Sequence, residues 1–492
     1  MRLFVVVLAA LAVSPVRAQD TPPEAADGLT LAEAVALAQQ RSPDLRRAAS
    51  QTDAAALAVR GARASRLPSL GLTVTPAQQY GLSFDQTTGQ LVSQTVETMN
   101  VGLGADFRLY DGRRTRYAVE QARLEQQAAA ATAERTGQTV ALDVAQRFLQ
   151  VLLDRELIDV REASLQAARQ QREQVSILVD AGARPRGDVV AQDAVVAERQ
   201  GALVTAEGAL RRSQALLALA VGLDPFAPPP IVGPDLAAIE ASGLLDARVR
   251  DGAALLAAAR LRRADVRSQA LRIEAAQAAQ RAARATSRPT LDLGASVGTG
   301  YSSLQQRIAD PTAVVPEVPV TLPDGTPVLI GGSPFTLPTG TPDFEQTPLF
   351  NQFGDNRSGR IGLTLSVPIL DRAARTRAVA EAQLRTLDLV AEADALDRQL
   401  TTEVVSAAID AETAAAQLSA AEAQLTAAEA ALTVERDRYD AGAGTLYAVA
   451  DAEARRTEAR AGRVQAAYGL VFRQALLALA TGDPDALTSL LD

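Results

Sequence analysis

The sequence has no cysteine, no histidine, no tryptophan and no lysine, and aromatic residues make up only 3% of its 492 positions. Without cysteine there is no disulfide, no thiolate metal site, no thiol nucleophile and no lipidated lipoprotein cysteine. Without histidine the chain lacks the commonest metal ligand and the usual general base near neutral pH. All 49 basic residues are arginine, set against 58 acidic ones, and the formal charge of −9 makes a poor nucleic-acid binder by bulk electrostatics. No late apolar run is long enough for a transmembrane helix; Ala215 to Val221 is the best and is too short. What the chain does have is alanine. Few aromatics with much alanine points to long helices packed closely through small side chains.

The amino terminus reads as a targeting segment. Arg2 gives a positive start, Leu3 to Val13 is apolar, and Val16-Arg17-Ala18 ends it in a small-x-small pattern. This is the form of a secretory signal peptide cut after Ala18. The competing reading, an amino-terminal anchor, needs a span of ~20 residues that this run does not reach.

Landmarks recur at fixed spacing, which must be examined before fold is discussed. Asn100 to Asp111 resembles Arg360 to Asp371, Asp180-Ala181-Gly182-Ala183 matches Asp440-Ala441-Gly442-Ala443, and Gly222 matches Gly482, all 260 residues apart. Upstream, Asp44 matches Asp265 and Pro68 matches Pro289 at 221. The 39-residue difference is extra chain in the second copy, expected at 306–357, a Pro-, Gly- and Thr-rich stretch that reads as a long exposed loop. The expected layout is a signal peptide at 1–18, a first repeat at 19–222, a linker at 223–250, a second repeat at 251–482 and a tail at 483–492.

Each copy has the order helix, strand, strand, long helix, break, helix. Ser42 is an N-cap candidate before Pro43, with the helix running to Arg66 and stopped by Pro68; the second copy starts at Asp265 and runs to Arg288. Residues 112–180 contain no proline and residues 372–440 neither proline nor glycine. A helix of that length is a rod of roughly 100 Å. Along the second rod Leu400, Val404, Ala407, Ala411, Ala414, Leu418, Ala421, Leu425, Ala428 and Leu432 alternate spacings of three and four, a coiled-coil seam. Gly182 and Gly442 are the expected hairpin tips, with return helices from about Asp188 to Ala220 and Leu446 to Ala480.

The strand pairs, about 69–110 and 290–370, alternate with period two. Leu70, Leu72 and Val74 fall on one face, as do Leu103, Ala105 and Phe107, while glycine, threonine and aspartate fall on the other. A periplasmic sheet lying on a helical core has this pattern. So does a lipid-facing barrel wall, whose strands need ~9–11 residues; residues 100–110 and 361–370 satisfy that length. Four strands cannot span alone, because open edges cannot face lipid. On the membrane reading they close with copies of themselves.

This order of elements, the signatures ending at Asp111 and at Val367-Pro368-Ile369-Leu370-Asp371, and the glycine tips resemble the TolC-type outer-membrane factor family from about Leu29 to Pro484. Arg108 stands where the first copy would carry the corresponding proline. The resemblance implies a mainly α fold with a transmembrane β-barrel: a trimer whose 12-stranded outer-membrane barrel continues as a periplasmic α-helical coiled-coil tunnel. It implies an exit duct for a tripartite efflux pump or a type I secretion system, not an enzyme. The expected partners are outer-membrane lipid, two further copies, a periplasmic adaptor and, through it, an inner-membrane transporter. No cofactor, metal or nucleic acid is expected.

By the same resemblance, Ala181, Gly182, Ala183, Ala441, Gly442 and Ala443 are adaptor-contacting tips. Asp188 and Tyr439 match the family's polar lock at the periplasmic mouth, but Gly444 replaces its arginine; Arg184, the equivalent position in the first copy, is the substitute. Asp451 matches one position of an acidic ring that narrows the mouth, and Ala448 occupies the other; a three-fold ring of Asp451 would select for cations and offer a site for a blocking multivalent cation. Ten arginines between 248 and 288 read as a solvated helix face paired with acidic neighbours. A different class also fits the signal peptide and heptads: a periplasmic coiled-coil protein that bridges partners without forming a pore.

Overall fold

The structure is a computed structural model that describes residues 28–85, 89–93, 95–242, 245, 251–309, 316–339 and 343–483. The expected signal peptide at 1–18 lies outside the described residues, as do 484–492 of the tail and much of 243–250 in the linker. The helices are α1 (Leu31–Arg41), α2 (Pro43–Ala64), α3 (Arg114–Asp180), α4 (Arg186–Val221), α5 (Leu236–Ala241), α6 (Gly252–Arg262), α7 (Ala264–Ala285), α8 (Leu349–Asp355), α9 (Ala374–Asp440) and α10 (Leu446–Thr481). The bounds of α1 and α2 recur 221 residues on in α6 and α7, and those of α3 and α4 recur 260 residues on in α9 and α10. The chain divides into two units, one of residues 1–50, 131–267 and 395–492, the other of 51–130 and 268–394.

The first unit is helical. Thr30 and Glu33 form a reciprocal capping box that starts α1, and Ser42 Oγ accepts from the amides of Asp44 and Leu45 to start α2. The seam of α9 is its buried stripe: Leu400, Val404, Ala411, Ala414, Leu418 and Leu432 are buried, and Ala407, Ala421, Leu425 and Ala428 half-buried. Each large member stabilises the bundle by about 1.5–3 kcal/mol. The main core gathers Phe148 and Leu152 of α3, Leu217 and Val221 of α4, Ile239 of α5 and Leu470 of α10. The linker closes over it. Leu29 bridges Ile231 in parallel, and a Cβ on Gly233 would lie 3.0 Å from Leu152 and Phe148.

One sequence expectation fails in this unit. The arginine-rich face is not uniformly solvated: the Arg263 side chain is 2% exposed. It donates to Asp265 at 2.5 and 3.0 Å and to Glu403 at 2.5 Å. Arg260 forms a bidentate pair with Asp397, both bonds 2.7 Å, and Arg267 pairs with Glu134. The acidic partners lie mostly on other elements, where spacing within one helix could not reveal them.

The second unit holds the sheet. Strands β1 (Ser69–Gln79), β4 (Val96–Tyr110), β5 (Thr290–Ser302) and β12 (Ser358–Ser366) form one antiparallel sheet in the order β1-β4-β5-β12. Register places Leu72 beside Leu103, Leu103 beside Val297, Phe107 beside Leu293 and Leu363 beside Leu293. It places Gly71 beside Gly104, Gly102 beside Gly298 and Thr364 beside Asp292. One face is therefore apolar across all four strands and the other small or polar. Within the single chain the apolar face is uncovered: Leu70, Leu72, Ile361, Leu363 and Leu365 are all exposed. The last strand differs from the expected 361–370. It begins three residues earlier and stops at Ser366, before Pro368, which has no N–H to donate to a ladder.

The excursion at 306–357 is more ordered than the single loop expected. β6 (Gln306–Ile308) pairs β11 (Phe344–Gln346), β7 (Glu317–Pro319) pairs β10 (Thr336–Pro338), and β8 (Leu329–Ile330) pairs β9 (Ser333–Pro334). A similar two-stranded ladder, β2 (Leu82–Asp85) with β3 (Gln90–Ser93), lies between β1 and β4. Helix α8 ends the excursion and protects a sheet edge. Beyond the start of β12, the Gln352 amide accepts from Ser302 N at 2.8 Å and donates to Ser302 O at 3.0 Å. Asn356 donates to Gly300 O at 2.8 Å. These side-chain amides satisfy the β5 backbone as a neighbouring strand would.

Candidate functional site

Both hairpin tips are built by the same local rule. Helix α3 ends with Gly182 N–H donating to Val179 O (2.9 Å) and Ala183 N–H to Leu178 O (2.8 Å). Helix α9 repeats it with Gly442 to Tyr439 (3.0 Å) and Ala443 to Arg438 (2.8 Å). These are Schellman closures, which need a left-handed residue after the helix, and φ is +75° at both glycines. A Cβ at either glycine would meet nothing within 4 Å, so the outer side of each turn is open within this chain. Ala181, Ala183, Ala441 and Ala443 are also exposed or nearly so in these turns. The return helices start differently: Pro185 precedes α4 without a side-chain cap, whereas the Thr445 hydroxyl caps Ala448 N at 3.2 Å.

Of the expected lock residues, the structure brings Arg184 and Tyr439 together. The guanidinium lies 4.3 Å from the ring centroid, joining the first turn to the end of α9. Tyr439 is buried in a small cluster with Val175, Leu432, Leu446, Val449 and Ala452, and its hydroxyl has no hydrogen-bond partner among the described residues. Asp188 is half-buried in the first turn of α4, and its amide donates to Pro185 O at 3.0 Å. Its carboxylate makes no ion pair among the described residues, and Tyr439 is not its partner. Asp451 pairs instead with Arg455, one turn on, at 2.9 Å. Sequence reading missed Arg455, though its i,i+4 spacing was the available signal.

Gly444 has a steric reason that no sequence motif expresses. A Cβ there would lie 2.9 Å from Tyr439 N and 3.1 Å from Arg438 C. A side chain at 444 would press on the end of α9, so the turn would have to shift to take one, whereas the equivalent position of the first turn carries Arg184. The guanidinium of Arg184 occupies the face of Tyr439 from the other hairpin.

The strand-to-helix signatures are caps. Asp111 accepts from Thr115 N at 2.6 Å and Asp371 from Arg375 N at 3.1 Å, each placing a carboxylate at the start of a long helix. The chain turns there through left-handed residues, Gly112 and Arg113 in one case, Arg372 and Ala373 in the other. Among the described residues no cluster of acidic side chains could hold a metal ion, and no helix is long and apolar enough to cross a membrane.

Comparison with known proteins agrees with this architecture. The fold is that of outer-membrane channels. VceC of Vibrio cholerae superposes with a TM-score of 0.67 at 20% identity, over 92% of this chain and 96% of that one. The open-state MtrE channel of Neisseria gonorrhoeae gives 0.66 at 19%, over 92% and 88%. Residues 34–223 and 255–483 match the family described as outer membrane efflux protein, and the chain belongs to that family. Protein CyaE of Bordetella pertussis is 28% identical over 277 residues, which span 55% of this chain and 55% of that protein.

Proposed function

We propose that this efflux protein is a trimeric duct of the outer membrane. Two structural repeats per chain contribute four strands to a 12-stranded barrel and their long helices to a periplasmic tunnel. The observation that carries the reading is the sheet: one face continuously apolar and uncovered, the other small and polar, with β1 and β12 as open edges. Apolar area of this extent is stable only when covered, and open edges only when paired. Lipid and two further copies supply both.

In this reading the tips dock a periplasmic adaptor, which links the duct to an inner-membrane transporter in an efflux pump or a type I secretion system. The open outer side of Gly182 and Gly442 admits close backbone approach by a partner helix. The periplasmic mouth is held by the Arg184–Tyr439 contact, since Gly444 carries no side chain, with Asp188 free to meet a neighbouring copy and Asp451 forming a cation-binding ring. An adaptor that prefers splayed tips shifts the population to open. The test is direct. The protein should fractionate with the outer membrane, require detergent, migrate as a heat-sensitive trimer and conduct ions in planar bilayers. A monomer soluble without detergent and without conductance refutes the duct.

A further inference from the structure

We propose that the end of the sheet where the long helices begin carries an arginine belt, built from Arg66, Arg113, Arg114, Arg116 and Arg372, that binds the headgroups of anionic phospholipid. The proposal rests on the duct reading, which sets that end of the sheet at the periplasmic leaflet. Strands β1 and β5 begin there and β4 and β12 end there, so Ser69 lies beside Asp106 and Ser366 beside Thr290. Four stretches flank those strand ends, 63–68, 111–116, 284–289 and 371–377, all within the unit that holds the sheet. Together they hold ten arginines and two aspartates. The connections at the other end, 80–95 and 303–357, hold two arginines and seven acidic residues. The charge of the strand ends is therefore polarised, and only the helix-bearing end attracts an anion.

Both aspartates of the arginine-rich end are already engaged. Asp111 accepts from Thr115 N at 2.6 Å, and Asp371 accepts from Arg375 N at 3.1 Å and from its Nε at 2.6 Å. The five belt arginines are exposed and form no ion pair among the described residues. Their neighbours along the chain are apolar. Arg66 adjoins Leu67, Arg113 and Arg114 follow Leu109 and Tyr110, and Arg372 follows Ile369 and Leu370, all of them exposed. Register carries Tyr110 onto the apolar face, beside Leu291. An exposed apolar edge bordered at once by unpaired guanidinium groups fits a molecule that is apolar at one end and anionic at the other. A phosphate headgroup accepts two parallel N–H bonds from a guanidinium, and basic residues at the margin of an apolar span draw anionic lipid.

The chain has no tryptophan, so a single introduced one reports the lipid beside it. Tyr110→Trp places the probe at the arginine end of the sheet and Tyr301→Trp at the other end, each a conservative aromatic exchange. Each full-length variant is reconstituted into phosphatidylcholine vesicles with rising fractions of brominated phosphatidylglycerol or of brominated phosphatidylcholine. Quenching of Tyr110→Trp should favour phosphatidylglycerol by about threefold or more, less so at high salt, and quenching of Tyr301→Trp should favour neither lipid. Arg113→Gln, Arg114→Gln and Arg372→Gln together should abolish the preference while brominated phosphatidylcholine quenches as before. Equal quenching by the two lipids at Tyr110→Trp overturns the belt. So does an equal preference at Tyr301→Trp, or a preference unaltered by the three Gln changes. Those results leave the duct standing. If neither lipid quenches either tryptophan, the sheet is not in lipid, and the duct reading falls with the belt.

Discussion

Arg263→Met should be among the costliest single changes in the helical unit. The guanidinium is 2% exposed and makes three charge-assisted bonds, two to Asp265 and one to Glu403. Removing one member of a buried ion pair costs about 3–5 kcal/mol, because the partner is left buried and unpaired. Here the lower end applies. Asp265 is 24% and Glu403 36% exposed, so water can return to both, and Arg135 stays 3.9 Å from Asp265. The expected loss is about 3 kcal/mol, after discounting Glu403 for solvent screening. At about 1.4 kcal/mol per tenfold, amide exchange at the α6–α7 junction should accelerate about 100-fold. The amides to follow are Arg263, bonded to Ala259 O, and Arg267, bonded to Arg263 O. Arg263→Met with Glu403→Gln should recover part of the loss, since one orphaned charge is gone. Acceleration below threefold would refute the account.

The same network sets a pH signature. Burial pushes the Asp265 carboxyl up, but hydrogen bonds from Arg263 and the charges of Arg263 and Arg135 outweigh it and hold the group below its ordinary value of 3.8. A depressed folded-state pKa contributes stability that is present above the unfolded pKa and lost as pH falls through the folded one. The gap between wild type and Arg263→Met should therefore be constant above about pH 5 and close only below the ordinary carboxylate value. A gap that widens on acidification contradicts this sign.

Four further outcomes follow from the tips and the strand-to-helix turns. Arg184→Gln removes a cation–π contact worth about 1 kcal/mol, so the open population without adaptor should rise about fivefold in single-channel recordings; an unchanged open probability in a stable trimer removes this contact from the gate. Gly442→Trp should abolish export while outer-membrane levels persist, and Gly442→Asn, which accepts the left-handed conformation, serves as the folding control; normal export by Gly442→Trp ends the docking idea. Asp451→Ala should raise conductance or relieve blockade by multivalent cations, whereas Arg455→Gln, which frees the Asp451 carboxylate, should strengthen blockade; two silent variants exclude the ring. Arg372→Gly relieves a left-handed non-glycine residue and should stabilise the protein by about 1 kcal/mol, read as a raised midpoint in denaturant titration; a lowered midpoint contradicts the strain.

What could be read from the sequence depended on how far apart the causes lie. The α9 seam was legible because Leu400 and Leu432 belong to one period of one helix, and burial followed it. The tips were legible because a Schellman closure is decided within six residues, and Gly182 and Gly442 stand at the same place in matching Asp-Ala-Gly-Ala segments. The sheet faces were legible because alternation is a property of single strands. Arg263 was not, because its burial is decided by Glu403, 140 residues away on another helix. Gln352 was not, because its role exists only once β5 outruns β12 and leaves Ser302, paired with β4 on one side, without a strand on the other. The lock at the mouth is the instructive case. A motif comparison registers Gly444 as a missing arginine, yet the backbone of Tyr439 lies 2.9 Å from where a Cβ would be. A side chain there would require the turn to shift, and the cation at the face of Tyr439 belongs to Arg184 of the other hairpin. In the proposed duct the gate chemistry is therefore to be sought between the two hairpins of one chain, at the face of Tyr439, as well as between the proposed neighbouring copies.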